Sequence, residues 1–150
     1  MGEVLIDTNV LVYAHQTDEP FKRARAAEVL EALDQNGHGR LSAQILGEFV
    51  SVTTRTRYPT PTLSIDEARA QAESLAQMFV VFDLTQFIVL EAANCVRQHQ
   101  MSYYDAQIWA TAKLNRVPTI FTEDFTNGRV VEGVRFVDPF DANFDLTPWR

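Results

Sequence analysis

Short apolar runs alternate with longer helical patterns along this chain, and the alternation restricts its possible folds more than any other feature. The apolar runs cover residues 4–6, 40–42, 79–82, 119–121 and 134–137. Helical patterns cover residues 21–35, 44–57, 65–78, 86–100 and 104–116, and a turn or helix starts at Thr8. Parallel strands need crossover connections, which are usually helices. The sequence therefore predicts an α/β fold with a mostly parallel central sheet covered on both faces.

Capping signals indicate where several of these helices begin and end. Pro20 suits the first turn of the 21–35 helix, where its missing N–H is no loss. Ser64 and Glu67 form a capping-box pattern before the 65–78 helix. Gly37 and Gly39 are predicted to end the helix that precedes them.

Length, cysteine content and charge restrict the class of protein. The 150 residues are expected to form a single domain, with residues 138–150 as a C-terminal arm. No stretch is long enough to cross a bilayer, and the start lacks the basic region of a signal peptide. Cys95 is expected to be a small buried hydrophobe, which suits a cytoplasmic protein. A net charge of −7 argues against binding nucleic acid over the whole surface.

Two acidic residues follow predicted strands. Asp7 comes directly after the 4–6 strand, and Asp124 comes three residues after Phe121. The carboxyl edge of a parallel sheet is where open α/β folds bind ligands. If both strands are parallel, Asp7 and Asp124 meet at that edge.

Two further acids occupy the apolar faces of predicted helices. Each begins or continues a pattern with spacing i, i+3, i+4 and i+7, which places its members on one helix face. The patterns are Ile45, Glu48, Phe49 and Val52 in one helix, and Asp105, Ile108, Trp109 and Ala112 in another. Glu48 and Asp105 are therefore expected to face the core side.

Ionised carboxylates gathered in an apolar place need neutralisation. At about 5 Å separation and an effective dielectric of about 20, each pair repels by roughly 3 kcal/mol, so six pairs sum to about 20 kcal/mol. That exceeds the stability of a typical domain. No Lys or Arg adjoins these acids in sequence. A set of oxygen ligands favours Mg²⁺ or Mn²⁺, the ions of phosphate chemistry.

Taken singly, each acid also fits an ordinary structural role. Asp7 fits a cap of the turn that follows it, and Ser102 with Asp105 fits a capping box. Glu48 fits a buried acid paired with an arginine, and Asp124 fits a turn residue. Beside Asp105, the tyrosines at 103 and 104 fit core packing better than stacking on a base.

Four segments of the sequence resemble the motifs of PIN-domain ribonucleases, in particular the VapC-type toxins of bacterial toxin–antitoxin pairs. They are Val4-Leu5-Ile6-Asp7-Thr8-Asn9, Leu46-Gly47-Glu48-Phe49-Val50, Tyr104-Asp105-Ala106 leading into Ile108-Trp109-Ala110-Thr111-Ala112, and Thr122-Glu123-Asp124-Phe125. The likeness extends from Val4 to Phe140. It is specific in combination, because the four acids follow one another in the family's order.

The resemblance implies a three-layer α/β/α fold and a Mg²⁺ or Mn²⁺ centre. The implied metal ligands are the four acids, Asp7, Glu48, Asp105 and Asp124. Asn9 and Thr122 are expected to orient ligands or water around them. The implied activity is hydrolysis of RNA phosphodiester bonds to 5′-phosphate and 3′-hydroxyl ends, by the toxin of a type II toxin–antitoxin system. Homodimers and a cognate antitoxin that blocks the site are also implied.

Two other function classes stay open at this point. A phosphate monoester hydrolase of the haloacid dehalogenase type uses a strand-end aspartate, but expects a second aspartate two residues later, where this chain has Asn9. The second class is a non-catalytic module, in which the acidic pocket receives basic residues of a partner. RNA binding by local cations would fall to Lys22, Arg23 and Arg25 or to Arg55 and Arg57, which equally fit solvated helix faces.

Overall fold

A computed structural model describes residues 2–56 and 62–150 of the chain. In this part, the strands are β1 (Val4–Ile6), β2 (Gly39–Ser42), β3 (Val80–Phe82), β4 (Thr119–Phe121), β5 (Val130–Val131) and β6 (Val134–Val137). The helices are α1 (Thr8–Tyr13), α2 (Pro20–Gln35), α3 (Ala43–Thr54), α4 (Ile65–Met78), α5 (Gln86–His99) and α6 (Tyr103–Leu114), and a 3₁₀ turn covers Thr147–Trp149.

The strands form one sheet in the order β3-β2-β1-β4-β6-β5. All neighbouring strands are parallel except β5 and β6. The chain moves outward from β1 to β3 and then returns to place β4 on the other side of β1, so the strand order reverses between β1 and β4. Such a switch point leaves a crevice beyond the carboxyl ends of the two strands.

The register of β1 and β4 determines which residues reach this crevice together. Ile6 pairs with Phe121, and the Asp7 N–H donates to the Phe121 carbonyl at 3.0 Å. Asp7 and Thr122 therefore leave the sheet side by side. All three residues of each strand are buried, so the edge is anchored in the core.

Helices cover the sheet in two groups. α1 packs against α2 and α3, and α3 packs against α4, while α5 and α6 pack against each other. Phe49 of α3 and Trp109 of α6 are fully buried. The Trp109 Nε1–H donates to the Val131 carbonyl at 3.1 Å and so joins α6 to β5. No helix in the described ranges has the length and apolar character of a membrane span.

The predicted α/β fold with a mostly parallel sheet is confirmed, and the predicted helices and strands are present with shifted ends. α3 begins at Ala43 and ends at Thr54, and residue 57 lies outside the described residues. The antiparallel strand β5 was not predicted. Its two residues have no pattern of their own and are ordered by pairing with β6.

The two glycines after α2 have different roles, and only one agrees with the prediction. Gly37 has φ +66° and ends the helix. Gly39 instead begins β2, where a Cβ atom would lie 2.3 Å from the ring of Phe79. Gly39 is thus explained by close packing rather than by the helix end.

The last residues pack beneath the β4 end of the crevice. The rings of Phe144 and Trp149 meet Phe121 edge to face, with centroids 5.4 and 5.0 Å away. Such contacts stabilise the end of β4, from which Thr122 and Asp124 continue. Cys95 is buried, as predicted, with its sulfur 4.0 Å from that of Met101.

Candidate active site

Asp7 ends β1 and caps α1. Its Oδ1 accepts a hydrogen bond from the Thr8 backbone N–H at 2.7 Å, and its Oδ2 accepts one from the Thr122 hydroxyl at 2.8 Å. The residue is only 3% exposed. Burial raises the pKa of Asp7 from 3.8 to about 7, against the lowering effect of the two hydrogen bonds, and the charges of Asp124 and Glu48 raise it further. The capping role and a place in the crevice therefore coexist.

Asp124 joins Asp7 through Thr122 and Asn9. The Asn9 Nδ2 donates to Asp124 Oδ2 at 3.1 Å and to Thr122 Oγ1 at 3.2 Å. The Asp124 backbone N–H also donates to Thr122 Oγ1, at 3.1 Å. Partial burial raises the pKa of Asp124, and the charges of Glu123, Asp105 and Glu48 add to that effect.

Glu48 enters from α3 and is held by two uncharged donors. The Thr8 hydroxyl donates to its Oε2 at 2.7 Å, and the Gln44 amide donates to its Oε1 at 2.9 Å. The side chain is half-buried, and no arginine of the described ranges bonds to it. Pairing of Glu48 with an arginine is therefore wrong for this part of the chain.

Asp105 enters from the first turn of α6. Its Oδ2 accepts a hydrogen bond from the Ser102 hydroxyl at 2.6 Å. The Ser102 side chain makes no capping bond to the helix, so the predicted capping box does not form. Tyr104 is 67% exposed, and core packing is wrong for this residue, whereas Tyr103 is partly buried against the core.

All four acids line one open cavity of about 320 Å³ at the switch point. Tyr13 and Glu123 line it too. Lys22 donates to Glu123 at 2.7 Å and to the Tyr13 hydroxyl at 3.1 Å, and Tyr13 donates to Glu123 at 2.5 Å. The ammonium of Lys22 is thus paired with Glu123 and with none of the four acids.

The donor set of this cavity fits a hard divalent cation. Its four carboxylates offer oxygen ligands only, and Asn9 Oδ1 is a buried acceptor without a hydrogen-bond partner in the described residues. Within those residues, however, no three Asp, Glu, His or Cys side chains are gathered into a ready-made metal-binding group. The four-acid cluster with about 5 Å spacing, supposed from the sequence, is therefore not preassembled.

Several residues that bond to the acids or line the cavity were missed by the sequence analysis. Thr8, Gln44 and Glu123 all bond within or beside the cavity. The one available signal concerned Gln44, because it precedes Glu48 by four residues and so shares its helix face.

The described basic residues considered for RNA binding lie on α2 or directly after α3. Arg25 lies 3.4 Å from Glu28, Arg23 and Arg55 are exposed, and Arg57 lies outside the described residues. None of the described ones bonds to the four acids. Whether they contact a nucleic acid stays a prediction.

Comparisons with known proteins agree with this architecture. The family model described as PIN domain matches residues 4–130. No match is found among curated protein sequences. The resemblance seen in the acidic motifs is thus confirmed by a model that spans most of the chain.

Solved structures from several bacteria have a similar fold. Mycobacterium tuberculosis VapC20, described as a sarcin–ricin loop cleaving toxin, is 16% identical over 81% of this chain and 90% of that one, with a TM-score of 0.64. DNA-bound VapBC from Salmonella typhimurium is 18% identical over 93% and 99%, with a TM-score of 0.63. A toxin–antitoxin complex from Klebsiella pneumoniae is 22% identical over 91% and 98%, with a TM-score of 0.65.

At these identities the structural likeness shows the fold alone. It nevertheless covers nearly the full length of each matched chain, and the fold places β1 and β4 at the centre of the sheet. Together with the family match over residues 4–130, this establishes that the chain belongs to the PIN domain family.

Proposed function

We propose that this chain is a metal-dependent endoribonuclease and the toxin of a type II toxin–antitoxin system. One observation carries the proposal: four carboxylates line a single open cavity, and no Lys or Arg in the described ranges bonds to any of them. Acids held this way repel one another until a cation arrives. Binding a divalent ion therefore relieves an unfavourable charge distribution that folding alone leaves in place.

Asp7, Glu48, Asp105 and Asp124 are the proposed ligands of Mg²⁺ or Mn²⁺. When bound, such an ion activates water and neutralises the phosphoryl and leaving oxygens of a phosphodiester. The four acids would hold the ion from positions that line one cavity without forming a ready-made metal-binding group in the described residues. Two of the four, Asp7 and Asp124, are already joined through Thr122.

The surrounding residues orient these ligands. Thr122 donates its hydroxyl proton to Asp7 and accepts from Asn9 and from the Asp124 N–H, so one hydroxyl sets the relation between two acids. Asn9 keeps its carbonyl oxygen free as an acceptor inside the site. That oxygen is suited to accept a hydrogen bond from a water molecule held beside the ligands.

The partners we propose are RNA, a cognate antitoxin and a second copy of the chain. Among the structural neighbours, the Klebsiella pneumoniae structure is a toxin–antitoxin complex, the Salmonella typhimurium structure is VapBC bound to DNA, and VapC20 is described as a toxin that cleaves the sarcin–ricin loop. A cavity of unpaired carboxylates also suits an arginine from a partner, because a guanidinium forms charge-assisted bonds to carboxylates. Inhibition by an antitoxin and catalysis therefore use the same acidic cavity.

The phosphate monoester hydrolase is less well supported. Its general acid would stand at position 9, where the Asn9 amide instead donates to Thr122 and Asp124. An amide has no acidic proton to give to a leaving group. No observation on the molecule favours this class over phosphodiester cleavage.

The proposal is tested by incubating purified protein with total RNA in Mn²⁺ or in chelator and mapping new 5′ ends. We expect Mn²⁺-dependent internal cuts, which Asp105→Asn removes and Asp83→Asn keeps, since Asp83 is an exposed acid outside the cavity. Phosphate released from a small monoester would favour the hydrolase. Tight binding of a basic peptide by a chain that binds no Mn²⁺ and cuts no RNA would favour the non-catalytic module.

A further inference from the structure

The side chain of Gln44 connects the two helices that bring acids into the cavity. Its Nε2 donates to Glu48 Oε1 at 2.9 Å on its own helix, α3, and to the Tyr104 carbonyl of α6 at 3.1 Å. Its Oε1 accepts from the Gln107 Nε2 at 2.7 Å. Both amide protons and the carbonyl oxygen of Gln44 are therefore used.

The α6 end of this connection is itself fixed. Gln107 is 4% exposed, and its Oε1 accepts from the Tyr103 hydroxyl at 2.9 Å. Asp105 lies in the same turn of α6, between the two positions that Gln44 contacts. The hydrogen bonds thus run from Tyr103 through Gln107 and Gln44 to Glu48.

We infer that Gln44 is a positioning residue that sets Glu48 on α3 against Asp105 on α6 for cation binding, an inference that rests on the proposed function. Glu48 has one oxygen held by Gln44 and the other by Thr8, so its carboxylate is oriented at both ends. Gln44 does this without adding charge. A lysine or arginine here would neutralise Glu48 and compete with the cation.

Only an amide satisfies all three contacts. A carboxylate at position 44 would place an acceptor against Glu48 Oε1 and the Tyr104 carbonyl, both of which are acceptors. A methionine would keep the length of the side chain but leave the Gln107 Nε2 and Glu48 Oε1 without their partner. The two substitutions therefore disturb the connection in different ways while preserving size.

The test is Mn²⁺ binding to the full chain, measured from the electron paramagnetic resonance signal of free Mn²⁺, for wild type, Gln44→Met and Gln44→Glu. Loss of a residue that orients a ligand weakens metal binding by about 10- to 100-fold. We expect Gln44→Met to bind Mn²⁺ more weakly by this factor while it still melts cooperatively. Gln77→Met, an exposed glutamine on α4, is the matched control and should bind like wild type.

A double-mutant cycle with Glu48→Gln separates positioning from a general loss of structure. If Gln44 acts through Glu48, the Gln44→Met change should weaken Mn²⁺ binding far less in the Glu48→Gln background than in wild type. Equal weakening in both backgrounds, or unchanged affinity of both Gln44 variants, would overturn the inference alone. A wild type that binds no Mn²⁺ would overturn the proposed function, and this inference with it.

Discussion

The acids of the cavity and the acids of the α5–α6 surface (Glu91 and Glu132, around Lys113 and His99) differ in their partners, because basic side chains of the described residues bond to the second group and not to the first. On that surface, Lys113 donates to Glu91 at 2.7 Å and to Glu132 at 3.1 Å, and His99 lies 2.9 Å from Glu132. These partners lower the pKa of Glu132, His99 most and Lys113 next. In the cavity, burial raises the pKa of Asp7 to about 7.

A shortage of basic residues does not explain this difference. Basic side chains pair with acids at several places on the surface, and Lys22 reaches the cavity mouth but binds Glu123 there. The four acids receive hydrogen bonds from hydroxyl, amide and backbone N–H groups instead. Such donors orient carboxylates and leave their charge available to an ion.

Asp7→Asn should have the largest effect, reducing RNA cleavage to below about 1% of wild type, because it removes a proposed ligand rather than a residue that supports one. The metal-free variant should melt at the same temperature as wild type or higher, since a buried charge is lost. Cleavage rate and melting temperature are measured on the same preparation. Cleavage at the wild-type rate would remove Asp7 from the proposed site.

The pH dependence of stability should also separate the two regions. Because the pKa of Asp7 rises from 3.8 to about 7 on folding, the folded chain holds a proton that the unfolded chain releases. Metal-free protein should therefore lose stability as pH rises from about 4 to about 7, by at most on the order of 4 kcal/mol from this group. Urea denaturation at pH 5 and pH 8 measures the loss, and Asp7→Asn should show a smaller one. If wild type and Asp7→Asn lost the same free energy of unfolding between pH 5 and pH 8, the raised pKa would not belong to Asp7.

Mn²⁺ should stabilise the cavity and leave the α5–α6 surface unaffected. At a concentration of about 100 times Kd, a ligand that binds only the folded state adds about 2.7 kcal/mol to the free energy of unfolding. Denaturation with and without Mn²⁺ measures this gain in wild type, in Asp124→Asn and in Glu91→Gln. We expect the gain to fall in Asp124→Asn and to persist in Glu91→Gln; a loss in both would show that the ion does not distinguish the regions.

Lys113→Met should have the smallest effect. Its ion pairs are partly exposed, so their removal should cost at most about 1 kcal/mol of stability. Mn²⁺ affinity and RNA cleavage should stay at wild-type values. A change in either would link the α5–α6 surface to the cavity and break the comparison.

The fold class and the order of most helices and strands could be predicted from the sequence, because the apolar residues of each element recur with the spacing of a strand or of a helix. The buried run before Asp7 and the helical spacing around Glu48 both depend on local pattern, and the structure places these elements as predicted. β5 was missed because its two residues are ordered by the antiparallel pairing with β6.

Partners of individual side chains could not be predicted in the same way. Spacing placed Glu48 and Gln44 on one helix face but gave no sign that Thr8, forty residues earlier in the chain, would also bond to Glu48. The Ser102 hydroxyl donates to the Asp105 carboxylate and does not accept from a helix N–H, although the spacing of the two residues fits both arrangements. The metal-binding roles of the four acids stay predictions until an ion is bound.

Asp7 both follows β1 directly and caps α1, and this affects which substitutions at the position are informative. Alanine would take away both the carboxylate and the acceptor of the Thr8 N–H, and loss of a helix cap alone typically costs about 1 kcal/mol. An alanine scan would then score an unfolding defect and a chemical defect as one. Asparagine retains a capping oxygen, so it is the replacement whose phenotype can be interpreted at this position.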